Sequence, residues 1–316
     1  MSERFTPAPV SPHVREITVD ADGIPLSGLL SEPSHTPPRA VVVALHGGGM
    51  RAGYFHGRAH PSLSLLTLGA TLGFTVLALD RPGYGTSATL LPAGRTLAEQ
   101  SLTLHTALDS FARQNHVGAG FFLVAHSYGG KLALTAAADG LGDRFLGLDI
   151  SGCGHQYAVG TQDLPRLHSL ATRRLSWGPL HLYPPNTFAA SRCILSPMPE
   201  REWSEAAAWP SHFPEVARRV RVPVRLTFAE HEAWWRHDDE ALATMTDLLS
   251  KARVIVDRQP HAGHNISLGW AARPYHLRAL VFLEECLCIA ETTQKRPGES
   301  AGPATDHGSD GWSHET

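Results

Sequence analysis

The chain has 316 residues, 42% of them hydrophobic, with 27 Lys and Arg against 30 Asp and Glu for a net charge of −3. That length suits one large α/β domain with an insertion. The near-neutral charge gives no electrostatic case for nucleic acid or an anionic membrane surface, so the expected partner is small or neutral.

Met1 to Pro12 is polar and Pro-rich without an apolar h-region, and no later stretch approaches the roughly 18 apolar residues of a membrane span. Neither secretion nor membrane insertion is expected. His13 to Asp20 and Pro25 to Ser31, joined around Asp22-Gly23, read as an antiparallel hairpin at a sheet edge. Ala40 to Leu45 is a near-continuous apolar run, the pattern of a strand covered on both faces, and it ends in His46-Gly47-Gly48-Gly49. A helix is expected over Pro61 to Ala70 and a buried strand over Phe74 to Leu79, which leads into Asp80-Arg81-Pro82-Gly83-Tyr84-Gly85. Thr96 and Glu99 have capping-box spacing, and Leu104, Leu108 and Phe111 follow at helical intervals.

Phe121 to Val124 reads as another buried strand, Ala125-His126-Ser127-Tyr128-Gly129 as a small-x-Ser-x-small turn, and Lys131 to Ala138 as a helix. A strand, a sharp turn and a helix in that order hold a serine in a strained conformation that lifts its hydroxyl above the sheet. Ser127 is therefore the candidate nucleophile. Phe145 to Ile150 is the next strand, so strands alternate with helices from Ala40 to Ile150, which predicts a parallel, helix-covered sheet.

That rhythm stops over residues 155–221, where no strand is expected and large aromatics gather: Tyr157, Trp177, Tyr183, Phe188, Trp203, Trp209 and Phe213. The sheet resumes at Val222 to Phe228, followed by a helix over Asp239 to Lys251, a last strand over Arg253 to Val256 and a closing helix over Pro274 to Cys288. Residues 290–316 are poor in aliphatics and are expected to be a disordered tail. Cys153, Cys193, Cys286 and Cys288 lack metal spacing, as do the 19 histidines, so a reduced, cytoplasmic protein without a metal site is expected.

The elbow around Ser127 resembles that of the α/β-hydrolase superfamily, with Ala125 where Gly is usual, and the resemblance extends to about Cys288. It implies a mostly parallel sheet with helices on both faces, formed by residues 1–154 and 222–289, and a helical cap over 155–221 inserted after the sixth strand. The family order places the acid and then the histidine after the nucleophile. Ala262-Gly263-His264 matches its small-Gly-His motif, which makes His264 the base and His261 the rival. Ala229-Glu230-His231-Glu232 resembles its Gly-x-x-Asp, which makes Glu232 the acid, with Glu230 and Asp238 as alternatives. The oxyanion donors implied are the N–H of Tyr128 and that of Gly48 or Gly49.

His126, Trp177, Trp203, Trp209 and Trp234 are the expected substrate-contacting side chains, with Trp235 beside them either lining the pocket or packed inside. The activity implied is a cofactor-independent serine hydrolase acting on an ester, thioester or amide through an acyl-enzyme. Its substrate is a small molecule, an acyl compound or a peptide, free or carrier-bound, and the Arg-rich composition and aromatic cap resemble hydrolases of bacterial natural-product and antibiotic pathways. Two other readings stay open. One is an acyltransferase or cyclase with a non-water acceptor, and the other is a non-catalytic ligand-binding protein on the same fold.

Overall fold

A computed structural model describes residues 13–160 and 170–294. Its centre is an eight-stranded sheet built from β1 (Val14–Asp20), β2 (Pro25–Ser31), β3 (Val41–Leu45), β4 (Thr75–Leu79), β5 (Phe121–His126), β6 (Phe145–Ser151), β7 (Val224–His231) and β8 (Val254–Gly263). The strand order is β1-β2-β4-β3-β5-β6-β7-β8. β1 and β2 pair antiparallel, β2 joins β4 antiparallel, and every later pairing is parallel.

All five residues of β3 are buried, because helices cover both faces of the sheet. Alternate side chains divide between the two layers as the pleat requires. Val41, Val43 and Leu45 pack with α2 (Leu97–Gln114), α3 (Tyr128–Ala138) and α6 (Glu200–Ala217), whereas Val42 and Ala44 pack with α1 (Leu65–Thr71) and α8 (Ala272–Gln294). The capping box forms as its spacing predicts, with Thr96 Oγ1 accepting from the Glu99 N–H and Glu99 accepting from the Thr96 N–H.

Residues 155–221 contribute no strand among those described. They form α4 (Leu170–Trp177), the single turn α5 (Thr187–Ala190) and α6, and Tyr157 meets Trp235 through an isolated antiparallel bridge. α7 (Asp239–Leu248) follows β7. α8 runs to Gln294, into the stretch expected to be a tail, and the remainder of that tail, 295–316, lies outside the described residues, as does the Met1 to Pro12 segment. Among the described residues no helix is long and apolar enough to cross a membrane.

β8 is longer than the expected Arg253 to Val256. It pairs with β7 in register as far as Ala229 opposite Gln259, and the next pair is His231 opposite Gly263. Two steps along β7 thus face four along β8, and the surplus forms a bulge in which His261 adopts φ 54°. The bulge carries the chain across the end of the sheet and delivers residue 264 toward β6.

Candidate active site

From β3 the chain goes to β4 on one side and returns to β5 on the other, so the crevice past the carboxyl ends of β3 and β5 is a topological switch point, where open α/β sheets bind ligands. A cavity of about 610 Å³ lies there. Gly47 to Met50 line it from the end of β3, His126 to Tyr128 from the end of β5, Trp234 and Trp235 from beyond β7, and His264 and Asn265 from beyond β8.

Ser127 joins β5 to α3 with φ 52° and ψ −114°, a left-handed conformation that a side chain adopts only when its surroundings enforce it. Those surroundings are visible. The Ser127 N–H donates to the Ser151 carbonyl at 2.8 Å, and its own carbonyl accepts from the Gly130 N–H at 2.9 Å. α3 comes so close to β3 that a Cβ on Gly129 would lie 2.2 Å from the Leu45 carbonyl oxygen, and one on Gly130 would lie 2.6 Å from Ile150 Cγ2.

His264 lines the same cavity as Ser127 and is 5% exposed. Its Nδ1 lies 2.8 and 3.0 Å from the two carboxylate oxygens of Glu232. A carboxylate only accepts, so Nδ1 carries the proton and Nε2 is left as the basic nitrogen. Glu232 is itself fixed by the Trp234 N–H at 2.9 Å. The alternatives lie elsewhere. Glu230 is exposed and accepts from the His261 N–H, His261 is exposed on the bulge, and Asp238 caps α7 while pairing with Arg236.

Of the two glycines expected to offer an oxyanion donor, Gly49 has its N–H directed to Tyr84 Oη at 3.1 Å. Of the two, Gly48 is the one left as a candidate donor alongside Tyr128, and it lies against Met198, whose Sδ would sit 2.9 Å from a Cβ there. Tyr84 Oη donates in turn to Glu202 of α6 at 2.7 Å, and Glu202 forms a fully buried ion pair with Arg81. The Arg81 guanidinium also donates to the His46 and Gly47 carbonyls and to Gln100. One charged cluster therefore fixes the glycine loop to the insertion. Ser196 reinforces it, with its N–H on the Gly49 carbonyl at 3.0 Å.

His126, Trp177, Trp203 and Trp234 line the cavity, and so does Trp235. Trp209 does not. It is fully buried between α6 and the sheet, with its indole N–H on the Gly154 carbonyl at 2.9 Å and its ring edge-on to Phe213, because its place on α6 faces the core. Trp209→Ala should thus lower unfolding stability by about 3–5 kcal/mol in urea titration. Trp203→Ala should change turnover of bulky substrates more than that of a small activated ester, and equal losses on both would assign Trp203 to packing.

Sequence patterns gave no sign of several contacts. Tyr54 stacks on His126 at 4.6 Å, Met198 covers Gly48, and Lys131 reaches the cavity from α3. Each depends on residues far apart in the chain meeting in space. Cys153 is no rival nucleophile, since burial pushes its thiol up to about 12. Among the described residues no three His, Cys, Asp or Glu side chains group to hold a metal.

Four histidines, of which His126 lines the cavity, are held neutral chiefly by burial. His46 and His276 are lowered to about 3, His56 to about 4, and His126 well below its usual value. His46 shows the structural result: Nε2 accepts the Arg81 N–H at 3.0 Å and Nδ1 donates to the Gly47 carbonyl at 2.8 Å. In the unfolded chain these rings protonate near pH ~6.5. Below that pH the unfolded state binds more protons, so stability falls with falling pH by roughly 1.4 kcal/mol per unit for each ring until the folded values are reached. Urea midpoints should drop steeply between pH 7 and 5; a flat profile would show that these rings are not buried neutral.

A sequence model described as the alpha/beta hydrolase family matches residues 42–277, three quarters of the chain and every element that carries the site. The chain belongs to the alpha/beta hydrolase family. Several solved structures share this alpha/beta hydrolase fold. A thermostable carboxyl esterase from Bacillus coagulans is 16% identical with a TM-score of 0.60, covering 89% of this chain and 99% of its own. A lipase in an open form is 17% identical with a TM-score of 0.62, covering 87% and 99%. E-2-(Acetamidomethylene)succinate hydrolase is 19% identical with a TM-score of 0.61, covering 86% and 100%. At such identities the likeness is one of fold, and no curated protein matches this alpha/beta hydrolase in sequence.

Proposed function

We propose that the protein is a serine hydrolase that cleaves an ester, thioester or amide through an acyl-enzyme. The observation that carries this reading is the pairing, in one cavity, of Ser127 at φ 52° with a buried His264 whose Nδ1 is held 2.8 Å from Glu232. A serine hydroxyl needs a base to attack at neutral pH, and the base needs a carboxylate to fix its tautomer and balance the imidazolium.

In this mechanism Ser127 Oγ bonds to the substrate carbonyl carbon while His264 Nε2 takes the hydroxyl proton. The carbonyl oxygen becomes an oxyanion, which the N–H groups of Tyr128 and Gly48 stabilise. Collapse of this intermediate breaks the bond to the leaving group, which receives the proton from His264. Water, deprotonated by the same imidazole, then attacks the acyl-enzyme and releases the acid and free Ser127. Residues 155–221 act as a lid in this reading. Met198, Trp203 and Trp177 supply an apolar roof that excludes bulk water and strengthens the electrostatic interactions beneath it.

A fluorophosphonate, which phosphonylates an activated serine, tests the reading. Intact-mass analysis of the wild type should show a single adduct, and Ser127→Ala and His264→Ala should both abolish it. A folded wild type that takes no label would overturn the hydrolase reading in favour of a ligand-binding one.

A further inference from the structure

Lys131 stands on α3, one turn past Ser127, and both line the cavity. It is 3% exposed. Its Nζ lies 2.8 Å from Tyr157 Oη, and because that hydroxyl donates its own proton to the Ala206 carbonyl, it accepts from the lysine. An ammonium has three donors, and among the described residues Nζ has no other hydrogen-bond acceptor and no carboxylate in an ion pair. Of the two carboxylates whose charge reaches it, Glu202 is already paired with Arg81, and Glu205, which accepts the Leu97 N–H, forms no hydrogen bond or ion pair with Nζ.

Three aromatic rings also surround it. The rings of Trp235, Tyr128 and Tyr157 lie 5.1, 5.4 and 5.4 Å from Nζ. Their faces stabilise a cation but neutralise none of its charge. Tyr128 adds a buried hydroxyl with no partner. A buried charge held by no paired counter-charge is costly, and a buried polar group without a partner calls for an explanation, of which a bound ligand is one.

We propose that Lys131 is a specificity-determining residue that pairs with a carboxylate carried by the substrate at a distance from the scissile carbonyl. The inference rests on the serine-hydrolase reading and names its substrate class: an ester, thioester or amide whose apolar body lies under the tryptophans and whose remote end is a monoanion. One lysine matches a single negative charge. A phosphate monoester would bring a second charge that nothing beside Nζ neutralises, in surroundings too apolar to tolerate it. Burial lowers the lysine to about 8, which still leaves it mostly protonated at neutral pH to meet such a group.

The test uses three esters of one activated phenol that differ only at the far end of the acyl chain, ending in a carboxylate, a primary carboxamide or a phosphate. At pH 7 the wild type should prefer the carboxylate over the carboxamide by roughly 10- to 100-fold in kcat/KM, the range for a charge-assisted hydrogen bond, and should not prefer the phosphate. Lys131→Met, which keeps an unbranched side chain of similar length in the aromatic box, should reduce that ratio to about one, and Lys131→Arg should restore part of it. Fluorophosphonate labelling of each protein reports the state of Ser127 independently. Labelled wild type without a carboxylate preference would overturn this assignment alone. A preference that survives in labelled Lys131→Met would remove the lysine from it, and preference for the phosphate would replace the carboxylate as the ligand. Failure of the wild type to label would overturn the serine reading and this inference with it.

Discussion

Glu232→Gln should lower kcat by about 10⁴-fold while leaving the fold and the fluorescence of the cavity tryptophans in place. The reason lies in which atoms face each other. One carboxylate oxygen of Glu232 accepts the Trp234 N–H, and both lie within hydrogen-bonding reach of His264 Nδ1. A glutamine in the same place must keep its oxygen on the Trp234 N–H, which turns its NH₂ toward His264. That NH₂ can only donate, so Nδ1 must accept and the imidazole proton moves to Nε2, the nitrogen that in the proposed mechanism receives the proton of Ser127. The base is disabled although every heavy atom stays where it was. Glu232→Asp keeps the acceptor and should lose much less. Steady-state kinetics on a small activated ester separates these outcomes, and a Glu232→Gln enzyme within tenfold of wild type would show that another carboxylate serves His264.

Glu202→Met should destabilise the protein by about 3–5 kcal/mol. Glu202 and Arg81 have no solvent-exposed side-chain surface, and Glu202 also accepts from Tyr84 Oη and Gln100 Nε2. Removing the carboxylate strands the guanidinium in the interior and releases Tyr84, which holds the Gly49 N–H. Arg81→Met with Glu202→Met removes both charges and should recover much of the loss, since an apolar pair of similar volume commonly replaces a buried ion pair at little cost. Urea unfolding of the two single variants and the double variant reads the coupling. If the losses simply add, the pair does not act as a unit.

Much of the scaffold was legible because its signals are local. The apolar runs that became β3, β4, β5 and β6 are bounded within two residues of expectation, as buried parallel strands between glycine-rich turns should be. Ser127 was readable because an elbow needs small neighbours at fixed offsets, and Gly129 against the Leu45 carbonyl gives the steric reason. The misreadings arise where distance in sequence decides. Trp209 shares its aromatic character with Trp203, and only the rotation of α6 against the sheet sends one to the core and the other to the cavity. Gly48 and Gly49 are equivalent as letters until Tyr84 takes one N–H. Glu202 is an ordinary helix residue in sequence, and its meeting with Arg81 depends on how the insertion folds back. β8 runs past its expected end at Val256 because its pairing with β7 continues to Gln259, and in the bulge beyond it the missing N–H of Pro260 is tolerated.

The bulge at the end of β8 also constrains how this chain can diverge. Side chains alternate between faces along a strand, so gain or loss of a single residue between Gln259 and Gly263 would turn everything after it to the other side of the sheet. His264 would then leave Glu232 without any change to either residue. Length variation here is restricted by parity, with changes of two residues accommodated more readily than changes of one. This short segment should therefore resist single-residue changes in length as descendants of the sequence acquire new substrates.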